Sequence, residues 1–313
     1  MKLIPQAAAF ALLSVSVFAA DTALLTLAPA SAKVIGGIHV DRTRNSQFGQ
    51  FVLAQMNSSD SNFQEFVSAT GFDPRRDLLE VVFASSEAGN NAPSLVLARG
   101  IFNGPQIFAA IKAKAESGAV TKYRGVDILD LKNGNASLAF VDGSLALAGD
   151  PGMLRGALDR RAGAGTASAL TAKATTASGK YDAWMVTNGV FVAPLPNSGS
   201  GNGPQAPNLQ GILETSGGLT FGSIIRFNGE ALTRSDKDAQ GLADVVRFLA
   251  SMIQMNGGNN PEMQIMQSLF TSLDVKAEAS TVKLSFSLPE ADLEKLMRQT
   301  KTLRPAAAAS NRR

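Results

Sequence analysis

The stretch ALAGDPGMLRGALDRR, Ala146 to Arg161, has the outline of a phosphate-binding loop: a β-like run, a glycine and a helix start. That chemistry needs bare backbone N–H groups at the turn and often a lysine. Here Asp150 stands directly before Pro151, and Asp at the N-cap with Pro at the first helical position is an ordinary helix start. The carboxylate would occupy the very donors a phosphate needs and repel the anion. Neither GxxxxGK[ST] nor GxGxxG occurs at the turn, so a capped helix is expected here.

His39 is the chain's one histidine, so a Ser-His-Asp site would have to use it. No GxSxG elbow supplies a serine. In strand alternation Ile38 and Val40 share a face and His39 takes the other, which predicts a partly exposed strand histidine. Ser280-x-x-Lys283 spells the SxxK of penicillin-binding enzymes, but it brackets a hairpin, where residues three apart point to opposite faces.

Asp236-x-Asp238-x-Gln240-Gly241 resembles the start of a calcium loop, yet Arg247 stands where a bidentate Glu is required. Ser235-x-x-Asp238 reads better as a helix cap. Met252-x-x-Met255 and Met263-x-x-Met266 could offer soft thioethers to Cu(I), each pair on one helical face. Packing demands the same spacing, and no His or Cys accompanies them. They are the weak metal candidates, and no cofactor is expected. Asp127 and Asp130 are close enough to suggest paired carboxylates for glycoside hydrolysis, but in a strand they face opposite sides. With two Tyr and one Trp in the chain, an aromatic sugar-stacking cleft is not expected.

The whole chain limits the alternatives further. It has 313 residues, 45% hydrophobic and 18% charged, a mean hydropathy of +0.05 and a net charge of +3. That charge is too small and too dispersed for a nucleic-acid face. The pairs Arg75–Arg76 and Arg160–Arg161 read as isolated, solvated cations. With no cysteine there are no disulfides, thiolate metal sites, lipid attachment or Cys nucleophile. Met1-Lys2 followed by LIPQAAAFALLSVSVFAA has the short positive start, apolar core and small-residue stop of a secretory signal peptide, residues 1–19. Ala20 and Ala32 are other possible cleavage positions, though Asp21 would interrupt the apolar core of the longer leader. An uncleaved anchor is the competing reading, and no later segment is apolar enough to span a bilayer.

The elements that must carry these residues follow from periodicity. Strands are predicted over Lys33–Val40, Leu78–Ala84, Ser94–Ile101, Val126–Leu131, Ser137–Val141, Leu145–Ala148, Leu219–Phe227 and in YDAWMVT from Tyr181. Asp274–Ala279 and Val282–Leu288 form a further hairpin. Helical stripes run through Phe48, Phe51, Val52 and Met56; through Phe63, Phe66 and Val67 behind a Ser61-x-x-Gln64 capping box; and through Ile107, Phe108, Ile111 and Ala115. A long helix follows Ser235, and others follow Asn260-Pro261 and Pro289. Residues 196–208 read as a low-complexity loop. Hairpins interspersed with helices predict an α+β fold, antiparallel sheets with helices on one face. Two loosely repeated halves are expected, residues 20–178 and 179–303, with a disordered tail over 304–313.

The stretches VFAADTALLTLAPASAKVIGGIHVDR, SQFGQFVLAQM, GFDPRRDLLEVVFAS, YRGVDI and VDGSLALAGDP resemble a group of uncharacterised secreted bacterial proteins. The resemblance covers most of the chain after residue 19. It implies export and an α+β repeat architecture and carries no catalytic residue. The expectation is an exported, non-enzymatic protein of the periplasm or exterior, acting on an envelope protein or a small ligand. A hydrolase using dispersed Asp and Glu residues is the alternative, and copper binding a weaker one.

Overall fold

A computed structural model describes residues 22–56, 61–87, 92–113, 117–131, 134–165, 168–189, 211–255, 270–292 and 294–295. Its strands are β1 Val34–His39, β2 Leu78–Ser85, β3 Ser94–Gly100, β4 Ser117–Tyr123, β5 Val126–Leu131, β6 Ser137–Phe140, β7 Leu145–Gly149, β8 Ala183–Asn188, β9 Ile212–Thr220, β10 Ile224–Thr233, β11 Asp274–Glu278 and β12 Thr281–Pro289. They form one sheet in the order β11-β12-β10-β9-β8-β1-β2-β3-β7-β6-β5-β4. Each neighbouring pair is antiparallel. The fold is therefore α+β, and the strands of both halves of the chain share a single sheet through the β1–β8 pairing.

The helices are α1 Thr22–Leu25, α2 Val40–Thr43, α3 Gln47–Met56, α4 Ser61–Thr70, α5 Pro74–Asp77, α6 Gly104–Ala113, α7 Pro151–Asp159, α8 Ala169–Lys180 and α9 Asp236–Met255. A π-helical turn, Arg160–Ala164, continues α7. The main core lies on one face of the sheet. There Ile35, Val82, Leu95, Leu97, Leu147 and Val186 pack under α1, α7 and α8, represented by Leu24, Leu154 and Ala174. On the opposite face Ile107 of α6 packs with Phe102 and Ala146. Ala239 and Ala243 of α9 pack there on Ala231, Val275 and Val282. Helices thus flank both faces, since α8 also covers β8 and β9 on the main-core side while α9 covers the other side of β10, β11 and β12.

Alternation explains which side chains reach which layer. At the centre of the sheet β1 carries Gly36 and Gly37, and both are needed for close approach. A Cβ on Gly36 would overlap the Phe83 ring, and one on Gly37 would lie 2.8 Å from the Trp184 ring. Aromatic rings from the two neighbouring strands therefore lie across β1, one on each face.

The short helices α1, α2 and α5 were not expected, α2 taking Val40 from the predicted first strand, and three longer elements also differ from the sequence expectation. Residues Leu219–Phe227 are not one strand: they hold the end of β9, a turn and the start of β10. Each side of that turn is apolar, so the run looked continuous. Helix α8 was not expected, because its stripe is built from small residues, Ala174 and Ala177 after Leu170. Its start is nonetheless marked by Ser168, whose side chain accepts from Thr171 N–H. Strand β4 is an exposed edge, so it lacks the apolar alternation that reveals half-buried strands. The predicted helix after Asn260-Pro261, the loop 196–208, the tail 304–313 and the leader 1–19 fall outside the described residues.

Candidate functional site

At the 146–161 turn, β7 ends in Gly149 and Asp150 caps α7. Its Oδ1 accepts from Gly152 N–H at 2.9 Å and from Met153 N–H at 3.0 Å. Pro151 is the first helical residue, and Leu154, Ala157 and Leu158 form the buried stripe behind it. The two N–H groups an anion would need are already bonded to a carboxylate. This turn is a helix start, as its sequence predicts.

His39 departs from expectation. It is 4% exposed, not partly exposed. The reason is α8, which closes over that face of β1 and brings Ser178 to the ring. His39 Nε2 lies 3.0 Å from the Ser178 carbonyl oxygen and 2.9 Å from its Oγ. Across the sheet Glu80, the register partner of His39, places Oε1 3.7 Å from Nδ1. A serine, a histidine and a carboxylate therefore meet, although no motif links their positions in the chain.

The geometry does not make a nucleophile. A carbonyl can only accept, so Nε2 is assigned the ring proton and donates to Ser178 O. The nitrogen nearest Ser178 Oγ then has no lone pair to take its proton, whereas a triad requires one. The Glu80–Nδ1 separation exceeds a hydrogen bond. Ser178 is fully buried, so no substrate carbonyl reaches Oγ. Burial holds the imidazole below its ordinary pKa, against the opposing effect of the Ser178 carbonyl bond. The cluster is a neutral buried histidine joining α8 to β1.

The other candidates are dispersed. Lys283 is ion-paired with Glu278, and Ser280 sits in the hairpin turn where its carbonyl accepts from Thr233. Asp236 and Asp238 lie in the first turn of α9, helical and not looped, and Asp238 is ion-paired with Arg234 at 3.2 Å. Asp238 N–H donates to Ser235 Oγ at 3.1 Å, the cap predicted from sequence. Asp127 pairs with Lys122 at 3.6 Å, while Asp130 accepts from Ser137 Oγ at 2.6 Å on the other face. Met252 and Met255 end α9, Met255 being 85% exposed. Met263 and Met266 lie outside the described residues. Among the described residues no three His, Asp or Glu side chains converge as metal ligands.

The paired arginines are not free cations. Arg75 and Arg76 bond Asp73 and Asp77. Arg160 donates twice to Leu27 O, at 3.0 and 2.8 Å, tying the N-terminal segment to the π-helical turn.

One concave feature is wholly apolar. Between α4, α6 and the sheet lies a hollow of about 350 Å³, lined by residues including Phe66, Phe72, Val96, Ala98, Phe102 and Phe140. Every lining side chain is a hydrocarbon. The phenylalanines form a chain of ring contacts, Phe72–Phe102 at 5.3 Å and Phe102–Phe140 at 5.6 Å. A second hollow of about 400 Å³, on the opposite face beside α8, carries charged side chains: Lys173, Lys180, Glu214 and Glu230 are among its lining, with Lys173 and Glu214 ion-paired. The apolar hollow draws residues from α4, β2, β3, α6, β6 and β7, and only folding brings them together.

No family model matches the chain, and no curated protein matches it. Among solved structures the chain is similar to crystal form III of TP0453, with 11% identity over 88% of this chain and 97% of that one, TM-score 0.54. Crystal form IV of TP0453 matches at 12% identity over 88% and 95%, TM-score 0.51. At this identity the likeness is one of fold, and it extends across nearly the whole α+β architecture.

Proposed function

We propose that this chain is an exported, non-enzymatic protein of the bacterial cell envelope that binds a small apolar ligand in the hollow between α4, α6 and the sheet. The observation that carries this reading is the hydrocarbon lining of that hollow. Ligand sites commonly enclose about 300–1,000 Å³ and are mainly apolar. A dry cavity of about 150 Å³ already admits benzene. At about 0.8 kcal/mol per buried methylene, some eight methylenes contribute about 6 kcal/mol before association costs, enough for a ligand with an alkyl chain.

Export is supported by the leader-like residues 1–19 and by where the core begins. Leu24, Leu25, Leu27 and Ala28 are buried in the main core. Cleavage after Ala32 would remove them, whereas cleavage after Ala19 or Ala20 leaves them in place. The repeat reading is supported by strand order. In the first half β1-β2-β3 continue into β7-β6; in the second β8-β9-β10 continue into β12-β11. Each half thus returns its last strand to the side of its third.

The test is titration with an environment-sensitive fluorescent fatty acid, on the wild type and on Ala98→Phe. Ala98 lines the hollow, and a benzyl group there fills it. Saturable binding by the wild type, weakened at least tenfold in a folded Ala98→Phe variant, is expected. Equal affinity in both would overturn the assignment.

A further inference from the structure

The sheet has two edges, and they are protected differently. At β11, Arg247 of α9 donates from Nη2 to the Val275 carbonyl at 2.8 Å. Asp274, Lys276 and Glu278 place a charge at every second residue of that strand. Both devices discourage a further strand. At β4 the residues Gly118 to Lys122 are exposed, and Lys122 is the strand's one charged residue.

The register shows which backbone groups are free at β4. Arg124 and Gly125, at φ 50° and 79°, make a two-residue turn, and Tyr123 pairs with Val126 across it. Such a turn closes on a hydrogen-bonded pair, and in antiparallel strands bonded and non-bonded pairs then alternate. Tyr123 and Thr121 therefore direct their N–H and C=O groups to β5. Val120 and Lys122 direct theirs away from the sheet, and among the described residues nothing bonds them. Val120 as a whole residue is also 38% exposed.

We propose that β4 pairs with β4 of a second copy of this chain, antiparallel about a two-fold axis through Thr121. This register sets Val120 of one copy opposite Lys122 of the other, so all the outward donors and acceptors of these residues are met. It is self-complementary in charge: each Lys122 faces a valine and keeps its own partner Asp127, 3.6 Å away. Thr121 meets Thr121, a favourable cross-strand pair. The contact is isologous, as a closed dimer requires. The register shift between Ser117 and Val120 limits the regular segment to Val120–Tyr123, so the pairing is short and its dimer concentration-dependent. This inference is independent of the apolar hollow.

The test is sedimentation velocity of the full chain without residues 1–19, from low micromolar to several hundred micromolar. The wild type is expected to pass from monomer to dimer over that range. Thr121→Glu and Thr121→Lys each put like charges at the axis and should weaken the dimer at least tenfold. An equimolar mixture of the two should restore it as a heterodimer. Val120→Pro, which removes one outward N–H and leaves the β5 pairing intact, should also give a monomer with unchanged Trp184 fluorescence. A wild type that stays monomeric throughout, variants that dimerise like it, or a mixture that does not recover would each overturn the proposal.

Discussion

His39 makes stability depend on pH in a window where no other side chain of its type titrates, because it is the chain's one histidine. Burial holds its folded pKa below the ordinary 6.5. Between the folded and unfolded values the unfolded chain binds the extra proton, so stability is fully present above about pH 7 and falls as pH drops through 6.5 towards the folded pKa. One proton limits the slope to about 1.4 kcal/mol per pH unit. From pH 6.5 to 5.5 the loss is at most about 1 kcal/mol, the limit reached when the folded ring takes up no proton. At about 3 kcal/mol per molar urea, the midpoint moves down by at most about 0.3 M. Nearby charges modulate this: Asp41 and Asp182 favour the protonated ring, Arg42 opposes it, and Glu80 lies 3.7 Å from Nδ1. Three carboxylates are moved further below this window. Arg75 holds Asp73 below its usual range, Arg76 does so for Asp77, and Tyr123 with Arg124 does so for Asp159. The assay is urea unfolding followed by Trp184, the single tryptophan, which is buried beside Gly37. His39→Gln keeps a donor for the Ser178 carbonyl and should flatten the pH dependence. A wild-type midpoint that does not move between about pH 7.5 and 5.5, or one that moves equally in His39→Gln, would refute the reasoning.

Asp150→Ala removes the cap of α7 and should cost about 1 kcal/mol in urea unfolding, while added phosphate leaves the wild-type midpoint unchanged. Gly149→Ala should be worse, by about 2 kcal/mol or more on the same assay, because its φ is 138° and a Cβ would overlap the Ser94 carbonyl oxygen. Leu95→Ala empties a fully buried position under the main helical layer and should cost about 2–5 kcal/mol. Ser178 should stay unlabelled by a fluorophosphonate probe in the folded protein, read by intact mass; stoichiometric labelling at Ser178 would reinstate a nucleophile.

Much of the architecture is set by local signals that a chain carries wherever it folds. Asp150-Pro151 specifies the start of α7 through its own hydrogen bonds. Ser235 caps α9 in the same local way, and in β3 buried Leu95 and Leu97 alternate with exposed Ser94 and Val96. The α+β class follows from those signals. What they could not reach depends on contacts between distant segments. α8 has a weak stripe of small residues because it is pressed against β1 and β8, so its pattern makes sense only once the sheet is beneath it. Its placement alone turns His39 from a surface residue into a buried one and brings Ser178 to it across 139 positions of sequence. The apolar hollow has the same origin. Its phenylalanines are unremarkable in sequence, since each could be core, and only the spacing left between α4, α6 and the sheet decides that they surround a space. The two edges of the sheet follow likewise from strand order, because a strand's own residues do not say whether another strand lies beside it.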